Sequence, residues 1–122
     1  MQLRIKSTDY QITPEVRAYL DERIAAIEKL IDPSDETAIC EIEVGKTIGH
    51  HVHGNIWSAE FQIVRSGERL RAVTNAESVN AAIDAAKDEL LRQLRHSKGK
   101  RFATMRRAGQ RVKDWMRFGR SD

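Results

Sequence analysis

The basic residues gathered towards the end of the chain are the ones whose type and spacing could do chemistry. Residues 87–122 carry twelve Lys and Arg against four Asp and Glu, whereas residues 1–86 carry nine basic and fourteen acidic side chains. Lys and Arg bind phosphate oxygens, and their concentration at one end directs a protein to a polyanion without making its whole surface adhesive. The charge distribution therefore predicts a nucleic acid or an anionic membrane as the partner.

The first basic residues of this region also have an explanation that involves no phosphate. Cations near the end of a helix complement its dipole, and Asp88 with Arg92 has the spacing of an i,i+4 ion pair. The alternative does not explain why the basic excess continues past Gly99. The candidate phosphate contacts of this region are Lys87, Arg92, Arg95, Lys98, Lys100, Arg101, Arg106 and Arg107.

The segment 102–118 interleaves aromatic and aliphatic residues with basic ones, and three interpretations compete. It is disordered, or it forms a basic amphipathic helix for a membrane surface or a protein, or its aromatic rings stack on unpaired bases. The apolar residues form no continuous helical stripe, which disfavours a membrane. We expect a flexible segment that orders on RNA.

Three histidines near the middle of the chain invite a metal site. His50, His51 and His53 could be joined by Cys40 as a fourth ligand, but the spacing matches no established zinc pattern. The sequence also contains no glycine-rich phosphate loop and no nucleophile elbow. We predict a non-enzymatic protein with no metal, no cofactor and no small-molecule substrate.

The remaining composition indicates the compartment. Cys40 is the single cysteine, which fits a reducing cytosol. Charged residues interrupt the first six positions, unlike the apolar region of a signal peptide, and no apolar run approaches the ~18 residues of a membrane span. We therefore expect a soluble cytoplasmic protein.

Two stretches have helical periodicity. Thr13-Pro14 supplies an N-cap and a proline at the first helical position, and Asp32-Pro33 ends the run. Ser78 can cap the second stretch, which Gly99 can stop. The first stripe comprises Val16, Tyr19, Leu20, Ile24, Ile27, Leu30 and Ile31, and the second Val79, Ala82, Ile83, Ala86, Leu90 and Leu94.

Four short stretches alternate with period two and predict strands, at 3–6, 37–44, 57–63 and 69–74. Ser66-Gly67-Glu68 predicts a hairpin turn between the last two. Each strand has one apolar face. The polar faces would display Arg4, Lys6, Glu41, Glu43, Glu60, Arg69 and Arg71.

The predicted order is β-α-β-β-β-α. A helix between the first two strands implies a parallel pair, and the short later connections imply an antiparallel meander. We expect an α+β two-layer sandwich in which both helices cover one face of a four-stranded mixed sheet. The domain would span 1–100, followed by a basic tail at 101–122.

Several stretches resemble the ribosome hibernation promoting factors and ribosome-associated inhibitors. Thr13-Pro14 with Val16-Arg17 and Ile27-Glu28-Lys29-Leu30 is similar to the family's first helix. His50-His51 with Gly54-Asn55 and Ala59-Glu60 resembles its loop and third strand. The second helix is the most specific match, through Asn80-Ala81-Ala82-Ile83-Asp84 and Leu91-Arg92-Gln93-Leu94-Arg95.

The resemblance implies a factor that occupies the decoding region of the small ribosomal subunit. It would contact small-subunit rRNA and block the positions of mRNA and of A-site and P-site tRNA during slow growth. The family's basic positions fall on Arg92, Arg95 and Lys98 in the second helix and on Arg17, Arg23 and Lys29 in the first. Asn80, Glu89 and Ala26 depart from the pattern, in which a Tyr and two Lys are common.

The resemblance is to the short members, because the chain has no room for the second, dimerising domain of the long ones. Two other functions remain open on the sequence. One is a protein-interaction module whose basic tail binds an acidic protein or a membrane. The other is a double-stranded-RNA reader, which would recognise A-form RNA by shape.

Overall fold

The computed structural model describes residues 1–47 and 56–97. Within them the predicted order of elements is confirmed. The elements are β1 (Gln2–Thr8), α1 (Pro14–Glu28), β2 (Ile39–Lys46), β3 (Trp57–Arg65), β4 (Glu68–Ala76) and α2, which is helical from 79 to the last residue described, 97. β1, β3 and β4 run slightly beyond their predicted bounds, whereas β2 begins and ends two residues later than predicted.

Both predicted helix caps are present. The Thr13 hydroxyl accepts a hydrogen bond from the backbone N–H of Val16 at 3.2 Å, and the Ser78 hydroxyl accepts one from Ala81 at 3.1 Å. Each bond satisfies a donor that the first helical turn leaves without a partner. The starts of both helices were therefore readable from local sequence.

The end of α1 differs from the prediction, which extended the helix through Ile31. The helix stops at Glu28, and the chain then tightens, because the N–H groups of Leu30 and Ile31 bind carbonyls only three residues back, at 3.0 and 3.1 Å. Ile31 is nevertheless buried. The apolar spacing indicated burial correctly, although the backbone there is a turn.

The sheet has the strand order β1-β2-β3-β4. β1 is parallel to β2, as the α1 crossover requires, and the other two pairs are antiparallel. The β3–β4 hairpin turns at Ser66 and Gly67, with φ of 37° and 79°. Two successive positive φ angles match the twist of a two-residue hairpin.

One face of the sheet packs against both helices, as predicted. The fully buried side chains there include Leu20, Ile27, Ile42, Phe61, Ile63, Ile83, Leu90 and Leu94. Burying side chains of this size contributes about 1.5–3 kcal/mol each before entropy is counted. This core fixes the two helices side by side over the sheet.

Gly45 allows the close approach of β1 and β2. A Cβ atom on Gly45 would lie 2.1 Å from the carbonyl oxygen of Thr8, its partner in the parallel register. Any larger residue would have to push the two strands apart.

Candidate nucleic-acid interface

The described candidate cations lie on the helical layer and not on the open face of the sheet. Arg17 and Arg23 belong to α1, Lys29 caps its C-terminus, and Lys87, Arg92 and Arg95 belong to α2. The other candidates, Lys98, Lys100, Arg101, Arg106 and Arg107, lie outside the described residues. The structure therefore brings six of the eleven to one layer.

A three-residue cluster joins α1 to α2. The Nε of Arg23 donates to Oδ1 of Asp84 at 2.9 Å, and the Tyr19 hydroxyl donates to the other carboxylate oxygen. The Arg23 guanidinium also lies 3.4 Å from the centroid of the Tyr19 ring. Arg23 is thus held by a carboxylate and an aromatic face, and its side chain is only 21% exposed.

The hydrogen bonds within the cluster lower the pKa of Asp84 and raise the pKa of Tyr19. Partial burial raises the pKa of Asp84, but the hydrogen bonds from Tyr19 and Arg23 outweigh burial and hold it below its usual value. The hydrogen bond to Asp84 raises the pKa of Tyr19. Asp84 is therefore charged and Tyr19 protonated at neutral pH.

Three more candidate cations have carboxylate partners. The Nε of Arg17 lies 2.9 Å from Oδ1 of Asp21, one helical turn away. Lys87 pairs with Asp88 at 2.5 Å. Arg92 has the spacing to pair with Asp88, but it makes a two-point contact with Glu89, at 2.9 and 2.6 Å.

In the contact between Arg92 and Glu89, two guanidinium nitrogens match the two carboxylate oxygens. Glu89 also accepts a hydrogen bond from Gln93 at 3.1 Å. The hydrogen bonds from Arg92 and Gln93 lower the pKa of Glu89 to about 2. A residue that departs from the family pattern therefore neutralises one of the expected RNA contacts.

Lys29 and Arg95 are the two described candidates that form no ion pair with another described residue. Both are exposed. They are free to meet a phosphate, whereas Arg17, Arg23, Lys87 and Arg92 would have to exchange a carboxylate for it.

The charge count separates the folded layer from the end of the chain. Residues 1–97 contain twelve Lys and Arg against sixteen Asp and Glu, and residues 98–122 contain nine against two. The domain described by the structure is therefore net acidic. The positive charge that would attract a polyanion is concentrated in residues 98–122.

A buried arginine takes part in a contact between the β3–β4 hairpin and α2. The Nε of Arg65, whose side chain is 5% exposed, lies 3.0 Å from Oε1 of Glu68. The other carboxylate oxygen of Glu68 accepts a hydrogen bond from the hydroxyl of Ser97. Glu68, which follows the turn of the β3–β4 hairpin, thus contacts both Arg65 and the last described residue of α2.

The open face of the sheet has mixed charge, as predicted, and several of its charged side chains form ion pairs. Nη1 of Arg4 lies 3.7 Å from Oε1 of Glu41, and Arg71 pairs with Glu60 on the neighbouring strands. The Thr8 hydroxyl donates to Glu43 at 2.6 Å. These contacts account for the alternating acids without a catalytic role.

Cys40 does not provide a reactive thiol or a ready metal ligand. Its side chain is buried in the core, and burial raises the pKa of the thiol to about 12. His50, His51 and His53 lie outside the described residues. Across 1–47 and 56–97, no three His, Cys, Asp or Glu side chains cluster closely enough to hold a metal ion.

The described helices are also unsuited to crossing a membrane. Neither α1 nor the described part of α2 combines the length and the apolar composition that a span requires.

The sequence matches the family described as Sigma 54 modulation protein / S30EA ribosomal protein over residues 3–101. The chain belongs to this family. The resemblance seen in the helices is thereby confirmed, and membership makes the protein a ribosome-associated factor. No curated protein sequence matches the chain significantly.

Two solved structures share the fold of this family member. The N-terminal domain of Protein Y from Thermus thermophilus is 23% identical, with a TM-score of 0.62, over 79% of this chain and 98% of that one. A ribosomal subunit interface protein from Coxiella burnetii is 16% identical, with a TM-score of 0.63, over 81% and 99%. At these identities the likeness establishes the fold.

Sequence patterns in this family member did not reveal Tyr19 and Asp84 as partners of a candidate cation. Tyr19 belongs to the predicted apolar stripe of the first helix, and Asp84 lies in a stretch that resembles the family's second helix. They are 65 residues apart in the chain, so no local spacing could pair them. The Arg17–Asp21 and Glu89–Arg92 pairs, by contrast, have spacings that could have been recognised.

Proposed function

We propose that this protein binds the rRNA of the small ribosomal subunit where mRNA and tRNA are read, and that it inhibits translation by occupying that region. It acts without catalysis, as a hibernation factor in slowly growing or stressed cells. Family membership supports the ribosome as partner. The Coxiella burnetii protein of the same fold is named a ribosomal subunit interface protein, which is compatible with this location.

The observation that carries the proposal is the separation of charge along the chain. Residues 1–97 are net acidic, whereas the next 25 residues carry nine Lys and Arg against two Asp and Glu. A domain of this charge is not attracted to RNA over its whole surface. Binding therefore divides between a basic segment that supplies affinity and a helical layer that orients the domain through Lys29 and Arg95.

The carboxylate-paired arginines act as exchangeable contacts in this proposal. Arg17 and Arg92 are exposed, and an exposed ion pair contributes only about 0–1 kcal/mol. A phosphate can replace such a carboxylate at small cost. Arg23 is held by Asp84 and Tyr19 and is less available than Arg17 and Arg92.

The experiment is inhibition of translation in vitro by stoichiometric protein, with two variants of equal charge change. In the first, Lys98, Lys100 and Arg101 become Gln; in the matched control, Arg4, Lys6 and Arg69 on the open sheet face become Gln. Inhibition should weaken in the first and persist in the control. Equal effects of the two variants would contradict the proposal.

Competition decides between this function and a general RNA reader. Occupancy of the decoding region predicts that added tRNA and mRNA displace the protein from the subunit. A reader of double-stranded RNA would be displaced instead by an RNA duplex of unrelated sequence, and by tRNA only to the extent of its duplex content.

A further inference from the structure

The two edge strands of the sheet, β1 and β4, differ in whether their outward backbone groups have hydrogen-bond partners. On β4, the side-chain amide of Gln93 donates to the carbonyl oxygen of Arg71 at 3.0 Å and accepts from the Arg71 N–H at 3.2 Å. A helix side chain therefore occupies the outward backbone groups of Arg71, near the middle of this edge strand. Such cover blocks the addition of another strand.

The β1 edge has no comparable cover among the described residues. The N–H of Gln2 donates to the carbonyl of Ala38 at 2.9 Å, so Gln2 and, by alternation, Arg4 and Lys6 direct their backbone groups to β2. The backbone groups of the alternate residues, Leu3, Ile5 and Ser7, then point outward, and no described residue hydrogen-bonds to them.

The side chains along β1 form an alternating surface beside those backbone groups. Leu3 and Ile5, on the helix-covered face, are only partly buried, although their neighbours Cys40 and Ile42 on β2 are buried almost completely. On the open face Arg4 is 52% exposed, and Lys6 is exposed with no ion pair to a described residue.

A second copy of the chain is disfavoured at this edge when the two β1 strands overlap along most of their length. Two antiparallel β1 strands centred on Ile5 would place Arg4 of each copy opposite Lys6 of the other. Like charges directly opposite one another in a sheet are destabilising. The complementary arrangement is already visible in β2, which sets Glu41 opposite Arg4 and Glu43 opposite Lys6.

We propose that the β1 edge is a docking site for an extended segment of another protein in which acidic and aliphatic residues alternate. The segment adds a fifth strand to the sheet. Its backbone bonds to Leu3, Ile5 and Ser7, its acids face Arg4 and Lys6, and its aliphatic side chains cover Leu3 and Ile5. This site is separate from the proposed RNA contacts Lys29 and Arg95, which lie on the helical layer.

The test uses the full-length protein and an end-capped peptide, Glu-Ile-Glu-Ile-Glu-Ile-Glu, followed by fluorescence anisotropy and by amide NMR shifts. One control peptide has Lys in place of Glu. In a second control peptide, the backbone nitrogens that would face β1 are N-methylated, which removes these hydrogen-bond donors but keeps the charge. The acidic peptide should bind saturably with shifts along β1, and both controls should bind at least about tenfold more weakly.

Two protein variants separate the edge from the basic segment, which would also attract an acidic peptide. Arg4→Glu combined with Lys6→Glu should reverse the preference in favour of the Lys peptide. Ser7→Pro removes one outward N–H without breaking the ladder to β2 and should weaken binding even if the double variant fails to fold. Binding that is insensitive to N-methylation and to Ser7→Pro would overturn the proposal, as would shifts that avoid β1.

Discussion

The Nε of Arg23 on α1 lies 2.9 Å from Oδ1 of Asp84 on α2, across 61 residues of sequence. The contact makes Arg23 part of the joint between the two helices. The same residue is one of the positions at which the family pattern expects an RNA contact. Arg23 therefore has two possible roles: it joins the two helices, and it is a proposed RNA contact.

Asp84→Asn tests this competition. Loss of the carboxylate weakens the hydrogen bonds from Arg23 and Tyr19, so we expect the free energy of unfolding to fall by about 1–2 kcal/mol, measured by urea denaturation. Arg23 becomes available to phosphate, and affinity for the ribosome should rise or stay unchanged. Weaker ribosome binding in a variant that remains folded would mean that Asp84 positions Arg23 for RNA.

The pH dependence of stability tests the contact between Glu89 and Arg92. The pKa of Glu89 is about 2, compared with an ordinary value of 4.5. A depressed carboxyl pKa stabilises the fold fully above pH 4.5, and the contribution is lost as the pH falls towards 2. Glu89→Gln should therefore flatten the stability curve in that window.

The matched measurement for this window is the carboxyl carbon shift of Glu89 by NMR. In the wild type it should titrate near pH 2, and Arg92→Gln should move the midpoint up towards the ordinary value. A midpoint already near 4.5 in the wild type would contradict the two-point contact.

Glu89→Lys restores a residue common in the family and frees Arg92. If α2 faces phosphate, this change should strengthen ribosome binding and steepen its dependence on salt, by about 0.7–0.9 in the logarithmic slope for each additional phosphate that the protein neutralises. Glu43→Lys makes the same charge change on the open sheet face. An equal increase in affinity in both variants would indicate general attraction and no role for the α2 surface.

Gly45 offers a test of the parallel pair that carries the β1 edge. Gly45→Ala should lower the free energy of unfolding by about 1–3 kcal/mol, because the new Cβ meets the Thr8 carbonyl. Gly67→Ala is the control, since nothing lies within 4 Å of its added Cβ and only its φ of 79° opposes the substitution. A smaller loss at Gly45 than at Gly67 would contradict the close approach.

Local sequence predicted the fold because its determinants are local. Thr13 and Ser78 mark the helix starts, and alternation along the strands gives their faces. The end of α1 could not be read in this way, because Leu30 and Ile31 pack inward from a turn and keep the spacing of a helix. Burial is a tertiary property. The apolar pattern therefore indicates which side chains are buried, but not whether the backbone there is helical.

The candidate site was harder to predict than the fold. The pattern identified which side chains are basic, but their availability depends on partners that folding supplies. Asp84 contacts Arg23 from another helix. Arg92 has two acidic neighbours at helical spacing, Asp88 and Glu89, and it pairs with Glu89. The residues matched to the family still stand as predicted contacts, with Lys29 and Arg95 the most available of those described.

Sedimentation through a sucrose gradient with separated ribosomal subunits tests the central claim most directly. At about 0.1 M salt the full-length protein should travel with the small subunit and leave it as salt rises, because phosphate contacts release counterions. The variant with Gln at Lys98, Lys100 and Arg101 should dissociate at lower salt than the variant with Gln at Arg4, Lys6 and Arg69. Protein that stays at the top of the gradient, or travels with the large subunit alone, would contradict the account.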